Sequence, residues 1–230
     1  MKKFNAFTLA EVLITLGIIG VVAALTIPTL IMHHRKQVIE TRLKKFYSMF
    51  NQAILLSTVD NGEISTWQYF QDDKYDEDGN AINQADKIDE SFQKYLAPYM
   101  KIVSKKAVND RYNNKDNKRI VYYLEDGSAF SYAFHENRDI QFYPENAEKC
   151  IEKEYAQRVG NCHFEFYFQP LRNNNSNKYH YNKNLEPNKY QWDGSENTLF
   201  TNCKQLGAYC TALIQHNGWK IPDNYPRKLK

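Results

Sequence analysis

The feature that most constrains this chain is the apolar run from Phe7 to Met32, which carries a single charge, Glu11. A helix crosses a bilayer with about 20 consecutive apolar residues, and this run exceeds that length. A helix apolar on every side offers water no polar face, so lipid or other chains must cover it. Glu11 is the oddity. A charged side chain at the centre of a spanning helix costs roughly 2.5–3.5 kcal/mol, and such groups are functional by default. Its place near one end of the run lowers that cost without removing it. A short head, Met1 to Ala6, carries Lys2 and Lys3 ahead of the run.

Three readings compete for this segment. A cleavable secretory signal has a basic start, and Val22-Ala23-Ala24 passes as a small-residue cleavage site. Its apolar core, however, spans only about 7–15 residues and carries no carboxylate. A plain membrane anchor leaves Glu11 unexplained. The third reading rests on Phe7-Thr8-Leu9-Ala10-Glu11-Val12-Leu13-Ile14, a short leader with Lys2 and Lys3, Gly17 and Gly20 within the run, and Pro28 near its far end. This pattern resembles the N-terminus of type IV pilins and of type II secretion pseudopilins. The resemblance implies a cut between Ala6 and Phe7 by a prepilin peptidase, methylation of the new Phe7 amine, and Glu11 as fifth residue of the processed chain. The residue before the cut is usually Gly in that family; here it is Ala6, also small.

Electrostatics gives Glu11 a role beside the resemblance. Cleavage before Phe7 leaves a positive amine, methylated or not, that can meet Glu11 of a neighbouring subunit. Two unit charges ~4 Å apart at an effective dielectric of ~20 attract by about 4 kcal/mol gross. That is comparable to the cost of holding the carboxylate in lipid, so docking on a neighbour's N-terminus relieves the penalty and sets axial register.

Charge counting alone gives the opposite orientation to the resemblance. Lys2 and Lys3 precede the run, while Arg35, Lys36, Arg42, Lys44 and Lys45 follow it. Counting Lys and Arg favours a cytoplasmic C-terminal side, but the rule binds short loops more than long translocated domains. The cysteines and the resemblance place the N-terminus in the cytoplasm and the domain in the periplasm, with the chain in the inner membrane before assembly and in a periplasmic or surface filament after it.

Past the run, Val38, Ile39, Leu43, Phe46, Tyr47, Phe50 and Ile54 recur in steps of three and four, the period of an amphipathic helix. Asp60-Asn61-Gly62 is its expected stop. From Phe7 to Ser57 such a helix is roughly 75 Å long. Pro28 removes a backbone hydrogen bond and is expected to kink it. The organisation read from the chain is a leader at 1–6, a transmembrane and filament-core helix at 7–32, its amphipathic continuation at 33–58, and a periplasmic domain at 59–230.

In that domain, Asp86 opens a short helix with Ile88, Phe92, Tyr95 and Leu96 on one face, ended by Pro98. Asp76, Asp78, Gly79 and Asn80 resemble a calcium loop, but Lys74 and Ala85 occupy its first and last ligand positions, so the pattern fails. No metal or cofactor is expected. Asn109–Lys118 and Arg172–Asn184 read as solvated loops. Arg119–Glu125 and Ser128–His135 flank Asp126-Gly127, a two-residue hairpin turn. Ile140–Tyr143 follows, with a turn at Asn137-Arg138-Asp139. His163–Phe168 alternates with Phe164, Phe166 and Phe168 on one side. Four such strands predict an antiparallel sheet whose aromatic face the helix covers. The fold class is α+β and type IV pilin-like: a long N-terminal helix, membrane-spanning in its first half, packed on a C-terminal antiparallel sheet.

Cys150, Cys162, Cys203 and Cys210 form no CxxC pair, so a zinc site is disfavoured. Outside the cytoplasm disulfides are expected. Of three pairings, Cys150–Cys162 with Cys203–Cys210 closes the shortest loops. The tail reads as a short helix from Cys210 capped at Gly218, with Trp219 and Ile221 as plugs. The sequence carries no G-x-S-x-G, H-E-x-x-H or P-loop. His33-His34 reads as an interfacial flank, and His163 with Glu165 as neighbours on a solvated sheet face. No enzyme is expected. The net charge is +3, or +1 without Lys2 and Lys3, too little to draw nucleic acid by bulk charge. Arg172–Lys183 interleaves Tyr179 and Tyr181 and reads as an exposed Asn-rich loop rather than a DNA contact.

Two function classes follow. One is a structural subunit of a type II secretion pseudopilus; the other is a minor type IV pilus subunit in adhesion or DNA uptake. The resemblance implies as partners the prepilin peptidase/methyltransferase, other pilin or pseudopilin subunits and an inner-membrane assembly platform.

Overall fold

The structure is a computed structural model that describes residues 8–67, 85–112, 115–132, 139–168 and 183–229. The turn at Asn137 and Arg138, Phe134 and His135 of the second strand, the calcium-like loop and Arg172–Asn182 lie outside these residues. The chain divides into two compact units, Met1–Val38 and Ile39–Lys230.

The first unit is helical from Leu9, the start of α1, which ends only at Asn61 in the second unit and runs on through Pro28. Its apolar side chains stand exposed, among them Leu9 at 79% and Leu25 at 72%. Such a helix is long and apolar enough to cross a membrane.

In the second unit α1 buries Ile39, Leu43, Phe46, Phe50, Ala53, Ile54 and Ser57, one stripe with helical spacing. The stripe meets a six-stranded antiparallel meander in the order β1-β2-β3-β4-β5-β6. The strands are β1 Ile102–Tyr112, β2 Lys115–Leu124, β3 Ala129–Tyr132, β4 Asp139–Tyr143, β5 Phe164–Phe168 and β6 Leu185–Pro187. The register sets Tyr122 opposite Phe130, Phe130 opposite Phe142 and Phe142 opposite Phe164, a row of rings across one face. Phe46 lies against that row, with ring centroids 4.4 Å from Phe142, 5.2 Å from Phe130 and 5.4 Å from Phe166. Pairs of this kind add about 0.5–1.5 kcal/mol beyond the area they bury.

Three sequence expectations change. Asn109–Lys118 is not a loop: its two ends belong to β1 and β2, which pair from Ser104 with Tyr123 to Tyr112 with Lys115. β6 was also not foreseen. The β2–β3 turn has three residues rather than two. Leu124 N donates to Ser128 O at 2.9 Å, Gly127 N to Leu124 O at 3.0 Å, and Gly127 takes φ 78. A three-residue hairpin of this type needs a left-handed last position, which glycine adopts without a Cβ penalty.

Short helices cover the rest of the second unit. α2, Ala85–Tyr95, buries Phe92 and Tyr95, and the Tyr95 ring stacks on Trp67 at 4.8 Å. α3, Ala147–Ile151, and α4, Tyr155–Arg158, cross the other face of the sheet. α5, Glu196–Leu206, starts at Ser195, whose hydroxyl accepts from Thr198 N, and ends at the left-handed Gly207. α6, Cys210–His216, follows. Cys150 pairs with Cys162, and Cys203 with Cys210. The two disulfide loops touch at Gly160, where a Cβ would stand 2.4 Å from Cys210 Sγ and φ is +71.

Candidate functional site

The first residues of α1 form a reciprocal cap. The Thr8 N–H and hydroxyl both donate to Glu11 Oε2 at 2.8 Å, and Glu11 N donates to Thr8 Oγ1 at 3.2 Å. Thr at the N-cap and Glu three residues on is the capping-box spacing, and it satisfies two of the helix's orphan donors. The local fold thus gives Glu11 a partner within its own chain and holds its carboxylate at the very start of the helix. Ala6 and Phe7 lie outside the described residues. Leu13, Ile14, Leu16, Ile18 and Ile19 follow Glu11, all more than half exposed.

Where α1 enters the second unit, polar ties fix it to the sheet and tail. Arg42 Nη1 donates to Pro144 O at 2.6 Å and its Nη2 to Asp126 O, while Lys45 Nζ meets Asp126 Oδ2 at 2.8 Å. Glu40, 6% exposed, accepts from Ile221 N at 2.9 Å and from Lys220 Nζ at 2.8 Å. The tail is therefore pinned to the helix. Ile221 is buried, and the Trp219 ring packs 5.0 Å from Tyr47.

Sequence reading missed a buried polar layer behind the sheet. His163 and Glu165 do share a face, but α3, α4 and the Cys150–Cys162 loop close over it, leaving 0% and 8% exposure; the face is not solvated. Arg119 Nη1 donates to Gln141 Oε1 and, at 3.4 Å, to Ser131 Oγ. Tyr143 OH donates to the same Gln141 oxygen at 2.6 Å. Tyr155 OH donates to Glu165 Oε1, and Asn188 Nδ2 to Glu165 Oε2 at 3.1 Å. Burial pushes the Glu165 carboxyl above its usual value, against the pull of those donors. His163 stands between the Tyr143 and Tyr155 rings; among the described residues neither ring nitrogen has a hydrogen-bond partner, and Nε2 lies 3.8 Å from Glu165 Oε1. Burial first, and then the Arg158 and Arg119 cations, hold its pKa well below the ordinary value, so it is neutral. Arg119 and Glu165 alternate with the aromatic face and so read as outward, and no local signal marked this layer as buried.

The two buried ionisable groups of this layer, His163 and Glu165, couple stability to pH in opposite directions. The unfolded chain protonates His163 near pH 6.5 while the folded chain does not. Its contribution is therefore present above pH 6.5 and is lost as pH falls towards the depressed folded pKa. Glu165 works the other way, because its raised folded pKa favours the folded state as pH falls. Comparing wild type with His163→Phe isolates the histidine. In urea unfolding at pH 7, 6 and 5, the variant is expected to gain on wild type by up to about 1.4 kcal/mol per pH unit below 6.5. A constant difference across that range refutes the assignment.

Among the described residues no group of three His, Cys, Asp or Glu side chains is placed to hold a metal ion. The exposed apolar start of α1 and the α+β layout with its six-stranded antiparallel sheet fit a type IV pilin-like fold. A family model for the prokaryotic N-terminal methylation motif matches residues 1–27, the prepilin segment that peptidase processing and polymer assembly use. A second model, described as a family of unknown function (DUF6613), matches residues 29–229, and the chain belongs to this family. No curated protein and no solved structure matches the chain.

Proposed function

We propose that the chain is a structural subunit of a type II secretion pseudopilus, cleaved before Phe7 and methylated there, that polymerises in the periplasm and drives protein secretion. The observation that carries the polymer reading is the exposed helix from Leu9 to Met32 bearing Glu11 at its capped start. In this reading residues 7–32 span the inner membrane and then form the filament core, with Pro28 as a bending point. Residues 33–58 continue the helix onto the domain, residues 59–230 stay periplasmic, and the assembly platform and fellow subunits are its partners. Two disulfides outside the cytoplasm agree with that placement.

Mass spectrometry of the mature N-terminus tests the processing. The expected species begins with N-methyl-phenylalanine at position 7; an intact Met1, or a start at Leu25, removes the proposal. Immunogold labelling tests the destination. A protein confined to the periplasm supports the secretion pseudopilus, whereas label along surface filaments replaces it with a minor pilus subunit.

A further inference from the structure

The two disulfides stand in different surroundings. Cys203 and Cys210 are both 0% exposed, and the Gly160 backbone lies so close that a Cβ there would stand 2.4 Å from Cys210 Sγ. Cys150 is 1% exposed and Cys162 7%, so of the four cysteines Cys162 keeps the most surface. A second observation falls on the same residue. Lys153 Nζ lies 3.9 Å from Cys162 Sγ. The turn that ends α3 sets that placement, since Glu152 N donates to Glu148 O and Lys153 N to Cys150 O, both at 3.2 Å. The lysine is half-buried, so salt screens it less than a fully exposed charge.

An ammonium beside a cysteine sulfur favours the thiolate, and the thiolate is the form that reacts. Exchange at a disulfide also needs access for a third sulfur. Cys162 meets both conditions, whereas Cys203 and Cys210 lack the access. The loop that Cys150–Cys162 closes carries α4 and the end of α3 over His163 and Glu165. The state of this bridge therefore decides whether the buried polar layer stays sealed.

We propose that Cys162 is the thiol–disulfide exchange site of this domain, with Cys150 as its resolving thiol and Lys153 as a positioning charge. The site takes a disulfide oxidant as the domain matures and a thiol reductant in the reverse direction. In oxidation the Cys162 thiolate attacks one sulfur of the oxidant, which forms a mixed disulfide and releases one thiolate. The Cys150 thiolate then attacks Cys162 Sγ, closing the bridge and releasing the oxidant's second thiolate. The protein gives up two electrons and two protons, and the oxidant takes both up as two thiols. Reduction runs the same steps backwards, with the external thiolate attacking Cys162 and Cys150 leaving. Cys203–Cys210 stays closed throughout. The inference goes beyond the polymer reading and does not rest on it.

Timed reduction of the full chain in detergent micelles tests it. Reduced glutathione is added, samples are quenched in acid with N-ethylmaleimide, and the cysteine peptides are read by mass spectrometry. The expected first product carries glutathione on Cys162 and maleimide on Cys150; the reverse arrangement overturns the proposal. Cys150–Cys162 should open about ten-fold or more sooner than Cys203–Cys210, because a fully buried sulfur reacts only after local opening. Both bridges opening at one rate, or Cys203–Cys210 opening first, overturns it as well. Lys153→Met should slow the first step about two- to five-fold at low salt, the range of an exposed ion pair. Lys153→Arg should restore the rate, and the gap between wild type and Lys153→Met should close as salt is raised. Equal rates for wild type and Lys153→Met at low salt, or a slow Lys153→Arg, would show that the charge does not act on Cys162 and would end the proposal.

Discussion

Glu11→Ala is expected to leave the chain in the membrane at wild-type levels and to abolish polymer assembly. The apolar run is unchanged, and removing a carboxylate only makes it easier to insert. What disappears, on the proposed role of Glu11, is the partner for a neighbour's Phe7 amine. The structure adds a competing account, because Glu11 also closes the cap with Thr8. Losing a cap costs about 1 kcal/mol and frays the first turn. Glu11→Gln separates the two, since its amide oxygen still accepts from Thr8 while its charge is gone. If the charge sets subunit register, both variants fail to form filaments in electron micrographs. Normal filaments from Glu11→Gln would reduce Glu11 to a helix cap.

Phe46→Ala should be the most damaging single change in the domain. Phe46 is 1% exposed and touches rings from three strands and from Phe50. Truncating a buried Phe to Ala costs about 3–5 kcal/mol, because close-packed neighbours cannot fill the cavity. For a domain of this size each kcal/mol moves the melting temperature by about 2–4 °C. A fall of roughly 6–20 °C is thus expected in thermal unfolding followed by near-ultraviolet circular dichroism. A fall of under 3 °C would mean that α1 is only loosely held against the sheet. The ties of Arg42 and Glu40 would then carry the attachment.

The central part of the fold was legible because burial there is one-sided. Phe130, Phe142, Phe164 and Phe166 alternate with smaller or polar neighbours, and the stripe on α1 has helical period, so pattern and packing agree. The edges were not legible. β1 has solvent along much of its length, with Val103, Lys105 and Lys106 exposed, so no alternation marks it. Charge on an edge strand guards against unwanted pairing and also erases the signal by which a strand is read. β6 is three residues long and ends in Pro187, which a sheet tolerates at its margin. The polar layer failed for another reason. His163 and Glu165 follow the spacing of an outward face, and only the loop folded over them, closed by Cys150–Cys162, turns that face inward. Such a cover is a tertiary fact with no local pattern.

The contact between Gly160 and Cys210 has a consequence for how the chain matures. Four thiols allow three pairings, and the one observed closes the two shortest loops, with separations of 12 and 7 residues, so loop-closure entropy favours it from the start. Here one bridge closes the loop that presents Gly160, and the other fixes the sulfur against which Gly160 rests. In the native pairing the Gly160 backbone packs on the Cys210 sulfur, a close approach that a side chain at position 160 would block. Each bridge therefore shapes the surface on which the other packs, and the missing side chain at Gly160 is what lets them meet.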